Sequence, residues 1–84
     1  MDESKRDVSS LVEHIVSSLV DQADQVEIRS TSSDGGLLIE IMVADEDISK
    51  IIGSNGRVIK AIRTLARSAA FIDGIDRVDV EIDS

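Results

Sequence analysis

Apolar residues recur along the chain with two different spacings, and together they predict an alternating set of helices and strands. Spacing of three or four residues marks a first helix at about residues 5–21 and a last helix at about residues 57–71. Strict alternation of apolar and polar residues marks three strands, at about residues 26–30, 37–44 and 78–82. The chain therefore mixes helices and strands throughout its length.

Three consecutive carboxylates predict the start of a short additional helix, from Asp45 to about Ile52, with Asp45 as its N-cap. The pair Asp34–Gly35 predicts a tight hairpin that joins the first two strands antiparallel. The last strand follows a helical crossover, so it can lie parallel to a neighbour. The predicted fold is α+β in the order α-β-β-α-α-β, a three-stranded mixed sheet with the helices on one face.

The length of 84 residues is enough for one small domain, predicted to span residues 1–84, with residues 1–4 as a polar tail. Apolar side chains at helical and strand spacing define its predicted core, which consists of Val12, Ile15, Leu19, Val26, Ile28, Ile39, Ile41, Ile48, Ile52, Ile62, Leu65, Ala69, Val78 and Val80.

Composition argues against catalysis. The chain has no Cys, its one histidine, His14, is predicted to be an exposed surface residue, and its carboxylates are scattered. We therefore expect no enzyme activity, catalytic residue, metal, cofactor or small-molecule substrate.

Apolar runs are too short for a membrane helix, and the first residues lack the apolar segment of a secretion signal. The expected location is the cytoplasm.

Charge is distributed unevenly. Residues 50–67 contain five basic residues and no acidic one, a local charge of +5, although the whole chain carries −8. The rest of the chain therefore carries −13. One basic patch on an acidic body is typical of a protein that binds an anionic partner in a single place.

The basic patch coincides with a glycine loop that leads into a helix. Gly53 and Gly56 flank Ser54 and Asn55, and the helix that follows carries Arg57, Lys60, Arg63, Thr64 and Arg67 in one sector. Glycine lets a ligand's backbone approach closely, and the first N–H groups of a helix attract anions. The segment is therefore predicted to hold a phosphate backbone.

This segment resembles a known family. The stretch Ile51-Ile52-Gly53-Ser54-Asn55-Gly56-Arg57, between a short helix and a basic amphipathic helix, looks like the GxxG loop of a KH domain. The element order is similar to the prokaryotic type II arrangement. The segments Val43–Gly53 and Arg57–Ala70, and the length, resemble the KhpA family of small stand-alone bacterial KH proteins.

The resemblance implies single-stranded RNA as the ligand, with about four nucleotides along the loop. Gly53, Ser54, Asn55 and Gly56 would then form the clamp. The apolar side of the groove would come from Ile51, Ile52, Val58 and Ile59, and the phosphates would be met by Lys50, Arg57 and Lys60, with Arg63 one turn further along. The resemblance also implies a homodimer, a heteromer with a KhpB-like KH protein, and RNA chaperoning linked to cell shape, elongation and division.

One departure from the family leaves a second hypothesis open. The family usually has Lys or Arg at one of the two middle loop positions, where this chain has Ser54 and Asn55. The single aromatic residue, Phe71, offers little base stacking, so recognition would rest on hydrogen bonds and aliphatic contacts. The alternative is a KH-fold protein–protein module that dimerises and binds RNA weakly or not at all.

Overall fold

The computed structural model describes residues 3–83, with side chains described from residue 8 onward. Its helices and strands follow the predicted order: α1 (Glu3–Leu19), β1 (Glu27–Ser33), β2 (Gly36–Met42), α2 (Ile48–Ile52), α3 (Arg57–Ile72) and β3 (Arg77–Ile82). Short 3-10 turns lie at Ala23–Gln25, Asp45–Asp47 and Ser54–Gly56. The predicted α+β, type II KH-like fold is confirmed.

The sheet is built around β2, with β1 and β3 as its two edges. β1 pairs antiparallel with β2, and Ser33 faces Gly36 across the turn. Both central turn residues, Asp34 and Gly35, have positive φ angles, as a two-residue hairpin requires. The predicted hairpin is confirmed, although β1 extends to Ser33, three residues beyond the predicted end of the strand.

β3 runs parallel to β2, which confirms the mixed sheet. Along β2, burial alternates as the sequence predicted: Leu37, Ile39 and Ile41 are buried, and the residues between them are half-buried. Val78 and Val80 of β3 lie beside Leu37 and Ile39 and are buried as well. These side chains form the sheet's contribution to the core.

Helices α1 and α3 pack against each other and supply the other half of the core. α1 buries Val8, Val12 and Val16, which are spaced four residues apart on one face. α3 buries a matching stripe of Ile59, Ile62, Ala66 and Ala70. The small alanines in the second half of α3 suit a close approach between helices.

Three predicted core residues lie on the surface instead: Leu19, Ile52 and Leu65 are each at least 39% exposed. Among residues 8–83, seven buried residues were absent from the predicted core: Val8, Val16, Leu37, Ile51, Ile59, Ala66 and Ala70. The exposed residues lie at the margins of their helices' apolar stripes, where a wheel diagram alone does not say which side the neighbouring element covers. The remaining predicted core positions are buried or half-buried.

Two helix starts differ from the prediction. α1 begins at Glu3, so residues 3 and 4 of the predicted polar tail are helical, whereas residues 1 and 2 lie outside the described part. The predicted helix from Asp45 to Ile52 divides into a 3-10 turn, here called the acidic turn (Asp45–Asp47), and α2. Asp45 is not an N-cap, since the acidic turn starts after Ala44 and has no side-chain cap hydrogen bond.

Asp47 is the fully buried member of the acidic turn, and it joins distant parts of the chain. Its carboxylate accepts hydrogen bonds from the backbone N–H groups of Asp21 (3.2 Å) and Gln22 (3.0 Å), which follow α1. The Nζ of Lys50 donates a third, at 3.0 Å. This buried carboxylate therefore fixes the start of α2 against the α1–β1 connection.

Within residues 3–83, none of the helices is both long enough and apolar enough to cross a bilayer.

Candidate nucleic-acid interface

The loop between α2 and α3, here called the glycine loop (Gly53–Gly56), has a backbone that depends on its residue types. Gly53, Asn55 and Gly56 have φ angles of 77°, 56° and 73°. Only glycine adopts such angles freely, and asparagine tolerates them better than most residues. The sequence Gly-Ser-Asn-Gly therefore encodes this sharp turn directly.

The two glycines are needed for different reasons. A Cβ on Gly53 would collide with the Val58 side chain and lie 2.9 Å from the Val58 backbone nitrogen. A Cβ on Gly56 would meet only the Ile59 Cγ2 atom, at 3.9 Å, which is ordinary contact. Gly53 therefore allows the loop to fold closely onto the first turn of α3, whereas the space beside Gly56 is open to a ligand.

The start of α3 is left without a compensating negative charge. Its N-cap, Gly56, offers no side chain, and the first turn contains no acidic residue. The first amides of the preceding 3-10 turn, those of Ser54 and Asn55, have no partner within that turn, and both residues are exposed. This end of α3 therefore presents N–H groups and positive helix dipole to solvent, which favours an anion.

The predicted cationic face of α3 is present. Arg57, Lys60 and Arg67 are exposed, and none has a carboxylate partner within salt-bridge distance among residues 8–83. Arg63 is half-buried, and its Nε donates a 3.2 Å hydrogen bond to the backbone carbonyl of Val80 on β3. Four cations therefore lie along one side of α3, three of them free to meet phosphates and one fixed against the sheet.

Lys50 lies at the same end of the molecule but is already paired. Its Nζ is 3.0 Å from Asp47 Oδ1 and 3.2 Å from Asp21 Oδ2. Hydrogen bonds to Asp47 and Asp21 raise the pKa of Lys50 above its ordinary 10.5, against the opposing effect of burial. Burial acts to raise the pKa of Asp47, but the hydrogen bonds from Gln22, Lys50 and Asp21 outweigh it, and the pKa lies below the ordinary 3.8.

Beside the glycine loop runs a shallow groove, here called the proximal groove, of about 480 Å³. Ile52 and Ile59 form one side, and Arg63 lies against them. Ile51 is fully buried in the core and does not line the groove. Val58 is half-buried against Gly53 and holds the loop in place.

The far side of the proximal groove comes from β3, through Glu81 and Ile82. Neither residue is among the site residues predicted from the sequence. Nothing in their local pattern marks them, because only the parallel pairing of β3 with β2 brings the chain's last strand beside α3. Asp47 was missed for a similar reason, since its partners lie 25 and 26 residues away.

His14 is exposed, as predicted, and residues 8–83 contain no cluster of three or more potential metal ligands.

Comparison with known proteins finds relatives that match most of the chain. The sequence model of a family described as KhpA/KhpB, KH domain matches residues 9–82. "RNA-binding protein KhpA" of Clostridium acetobutylicum is 41% identical over 75 residues, which cover 89% of this chain and 99% of that protein. The protein of the same name from Chlamydia trachomatis is 44% identical over 69 residues, covering 82% of this chain and 87% of the relative.

A solved structure shows the same fold at greater distance. The crystal structure of Era from Aquifex aeolicus aligns with 90% of this chain at a TM-score of 0.62 and 21% identity. The chain spans only about 30% of the length of Era, so this likeness concerns the fold of one part of that protein.

Proposed function

The chain belongs to the KhpA/KhpB KH-domain family, and we propose that it binds single-stranded RNA through the glycine loop and the first turns of α3. One observation carries the proposal: the exposed, uncapped loop leads directly into a row of cations on α3, although the net charge of the chain is −8. Three of these cations have no carboxylate partner among residues 8–83. The relatives named as RNA-binding proteins support the choice of ligand.

Phosphates bind at the loop. The backbone N–H groups of Ser54 and Asn55 and the dipole of α3 hold one phosphate, and the open space beside Gly56 lets the sugar–phosphate chain pass close to the backbone. Arg57 and Lys60 hold neighbouring phosphates. Lys50 stabilises the fold beside the loop and does not bind a phosphate. If its ammonium group moved away to a phosphate, the buried carboxylate of Asp47 would lose its countercharge.

Bases lie in the proximal groove. Ile52 and Ile59 provide aliphatic contact, and the guanidinium of Arg63 retains N–H donors beyond the one used by Val80. As an edge strand, β3 offers backbone groups that β2 does not use. No aromatic ring lines this groove, so stacking is weak and sequence preference is expected to be loose.

The interface can be mapped by titrating isotope-labelled protein with a short single-stranded RNA and following backbone amide shifts by NMR. We expect the largest shifts at Gly53–Gly56, Lys60 and Arg63, and little change at the hairpin turn Asp34–Gly35. With about three charges engaged, log K should fall with log salt at a slope near −2. Shifts confined to the outer face of the sheet, or no shifts at all, would contradict the proposal.

Self-association is a second candidate function, favoured by exposed apolar side chains on α3. Leu65 is 48% exposed and Ile72 is 82% exposed, although both are large and apolar. A homodimer, and pairing with a KhpB-like KH protein, would cover them. The RNA binding proposed above, together with a KhpB-like partner, corresponds to an RNA chaperone that acts in the cytoplasm and affects cell shape, elongation and division. Light scattering of the wild type and of Leu65→Asp tests the dimer, since a monomeric wild type would exclude it.

A further inference from the structure

A second groove lies at the other end of α3. This distal groove lies between the last two turns of α3 and the start of β3 and encloses about 620 Å³, more than the proximal groove. Its lining includes Arg67 and Phe71 from α3, Ile75 from the connection, and Arg77 from β3. The distal groove shares no lining residue with the glycine loop or with the proximal groove.

The two grooves are successive parts of one path along α3. Arg63, Arg67 and Phe71 are spaced four residues apart, so they lie on one face of the helix. Arg63 identifies that face as the side toward β3, because its Nε donates to the carbonyl of Val80. Val80 lies between Asp79, which lines the distal groove, and Glu81, which lines the proximal groove. From Arg57 to Phe71 the helix rises about 21 Å. A single-stranded RNA that extends from the glycine loop along this face of α3 therefore reaches the distal groove.

Phe71 is the only aromatic residue of the chain, and it is 80% exposed. An aromatic ring beside a cationic path is a platform on which a nucleobase stacks, whatever its identity. Arg67 and Arg77 line the same groove as the ring. The Arg77 guanidinium lies against the sheet, since a Cβ on Gly36 would approach its Nη2 to 3.1 Å. Cations are thus available for the phosphates on either side of a stacked base.

We propose that the distal groove binds a further base of the same RNA strand, stacked on Phe71, beyond the nucleotides held at the glycine loop. The proposal extends the proposed function and rests on it. Asp76 and Asp79 also line the groove and can accept hydrogen bonds from base amino groups, so adenine or cytosine suits it better than uracil. The apolar patch of Phe71 and the neighbouring Ile72 is small beside the roughly 800 Å² per partner of a stable protein interface.

The test compares RNA length with the identity of residue 71. Fluorescence anisotropy is measured with labelled oligoadenylates of four and eight nucleotides. Phe71→Ala should weaken binding of the eight-mer by about 5-fold or more, while four-mer binding changes less than twofold. Leu19→Ala, which removes an exposed apolar side chain of α1 that lines neither groove, should change neither. Phe71→Trp should retain eight-mer affinity, and its emission should be quenched by the eight-mer alone, since the chain has no other Trp.

The outcomes separate this inference from the function on which it rests. If the wild type binds neither oligonucleotide, both are overturned. If the four-mer binds but Phe71→Ala leaves eight-mer affinity unchanged, only the distal site is overturned. A Phe71→Ala variant that loses a dimer in light scattering, with an unchanged response to RNA length, would assign the groove to a second copy of the chain instead. Circular dichroism of each variant confirms that the exposed substitutions leave the fold intact.

Discussion

The two turns that flank α2 treat their polar groups in opposite ways. In the acidic turn, the Asp47 carboxylate is buried and its hydrogen bonds all go to the protein itself, to Asp21, Gln22 and Lys50. In the glycine loop, Ser54 and Asn55 are exposed, and no side chain caps the helix that follows. Two turns only a few residues apart thus differ in whether their polar groups are satisfied internally.

This contrast divides stability from binding. A buried carboxylate with internal partners holds α2 in place and leaves nothing for a ligand. Unsatisfied N–H groups at a helix start contribute little to stability but favour a bound anion. Lys50 belongs to the first turn by its ion pairs, although its position in sequence places it beside the second.

The largest effect is expected at the acidic turn. Asp47→Asn replaces an acceptor-only group with one whose NH₂ cannot pair with the backbone N–H groups that face it, and it leaves Lys50 without its nearest countercharge. We expect the thermal unfolding midpoint to fall on the order of 10 °C. Asp45→Asn, a matched change at an exposed residue of the same turn, should shift it by at most a few degrees. Equal effects of the two substitutions in calorimetry would contradict the role given to Asp47.

The two lysines provide the next comparison. Lys60→Gln should reduce the salt slope of RNA binding from near −2 to about −1.4, because one fewer counterion is released, while thermal stability stays unchanged. Lys50→Gln should do the reverse, lowering stability and leaving the slope unaltered. Anisotropy titrations at three or more salt concentrations measure the slopes. If Lys50→Gln lowers the slope as Lys60→Gln does, Lys50 is a phosphate ligand after all.

A smaller gain is expected from adding the cation that the glycine loop lacks. Ser54 is exposed and, unlike Asn55, has no positive φ angle, so lysine fits there without backbone strain. Ser54→Lys should strengthen RNA binding a few-fold and make the salt slope steeper by about 0.7. Asn55→Lys carries the same charge at a strained position and should gain less. An affinity that does not respond to Ser54→Lys would argue that the loop does not meet phosphates.

The smallest effect concerns pH. The folded-state pKa of Asp47 is below 3.8, so its stabilising contribution is present above that value and is lost as pH falls through the folded pKa. The raised pKa of Lys50 contributes below pH 10.5, and that contribution is lost as pH rises beyond the folded pKa. The stability difference between wild type and Asp47→Asn should therefore stay constant between pH 5 and 9 and shrink below about pH 4. A difference that already changes near pH 6 would implicate another group.

Much of the fold could be predicted because local patterns determine it. Three features of the structure follow from local sequence patterns: the alternating burial along β2, the turn at Asp34–Gly35, and the apolar stripe of α3. The glycine loop could also be predicted from the sequence, since the positive φ angles at Gly53 and Gly56 favour glycine at both positions. These features depend on neighbours within a turn or two of the chain.

The features that were missed depend on distant contacts. Ile51 and Ile52 are adjacent in a helix of five residues, too short for a periodic pattern to show that Ile51 faces the core and Ile52 the solvent. Asp47 looks like any other carboxylate at a helix start until the end of α1 is folded against it. Glu81 and Ile82 enter the groove only through the parallel pairing of β3. Contacts across the fold, rather than local propensity, decide all of these.

The central claim is that the glycine loop, and not the chain as a whole, attracts RNA. Gly56→Asp tests it most directly, because a side chain there meets open space, whereas Gly53→Asp would also disrupt packing on Val58. Gly35→Asp is the matched control: the same added charge at a glycine with a φ of 77° and nothing within 4 Å, in the hairpin turn away from the loop. In anisotropy titrations with a short single-stranded RNA, Gly56→Asp should weaken binding at least about tenfold and Gly35→Asp less than twofold. Equal affinities of the two variants would contradict the account.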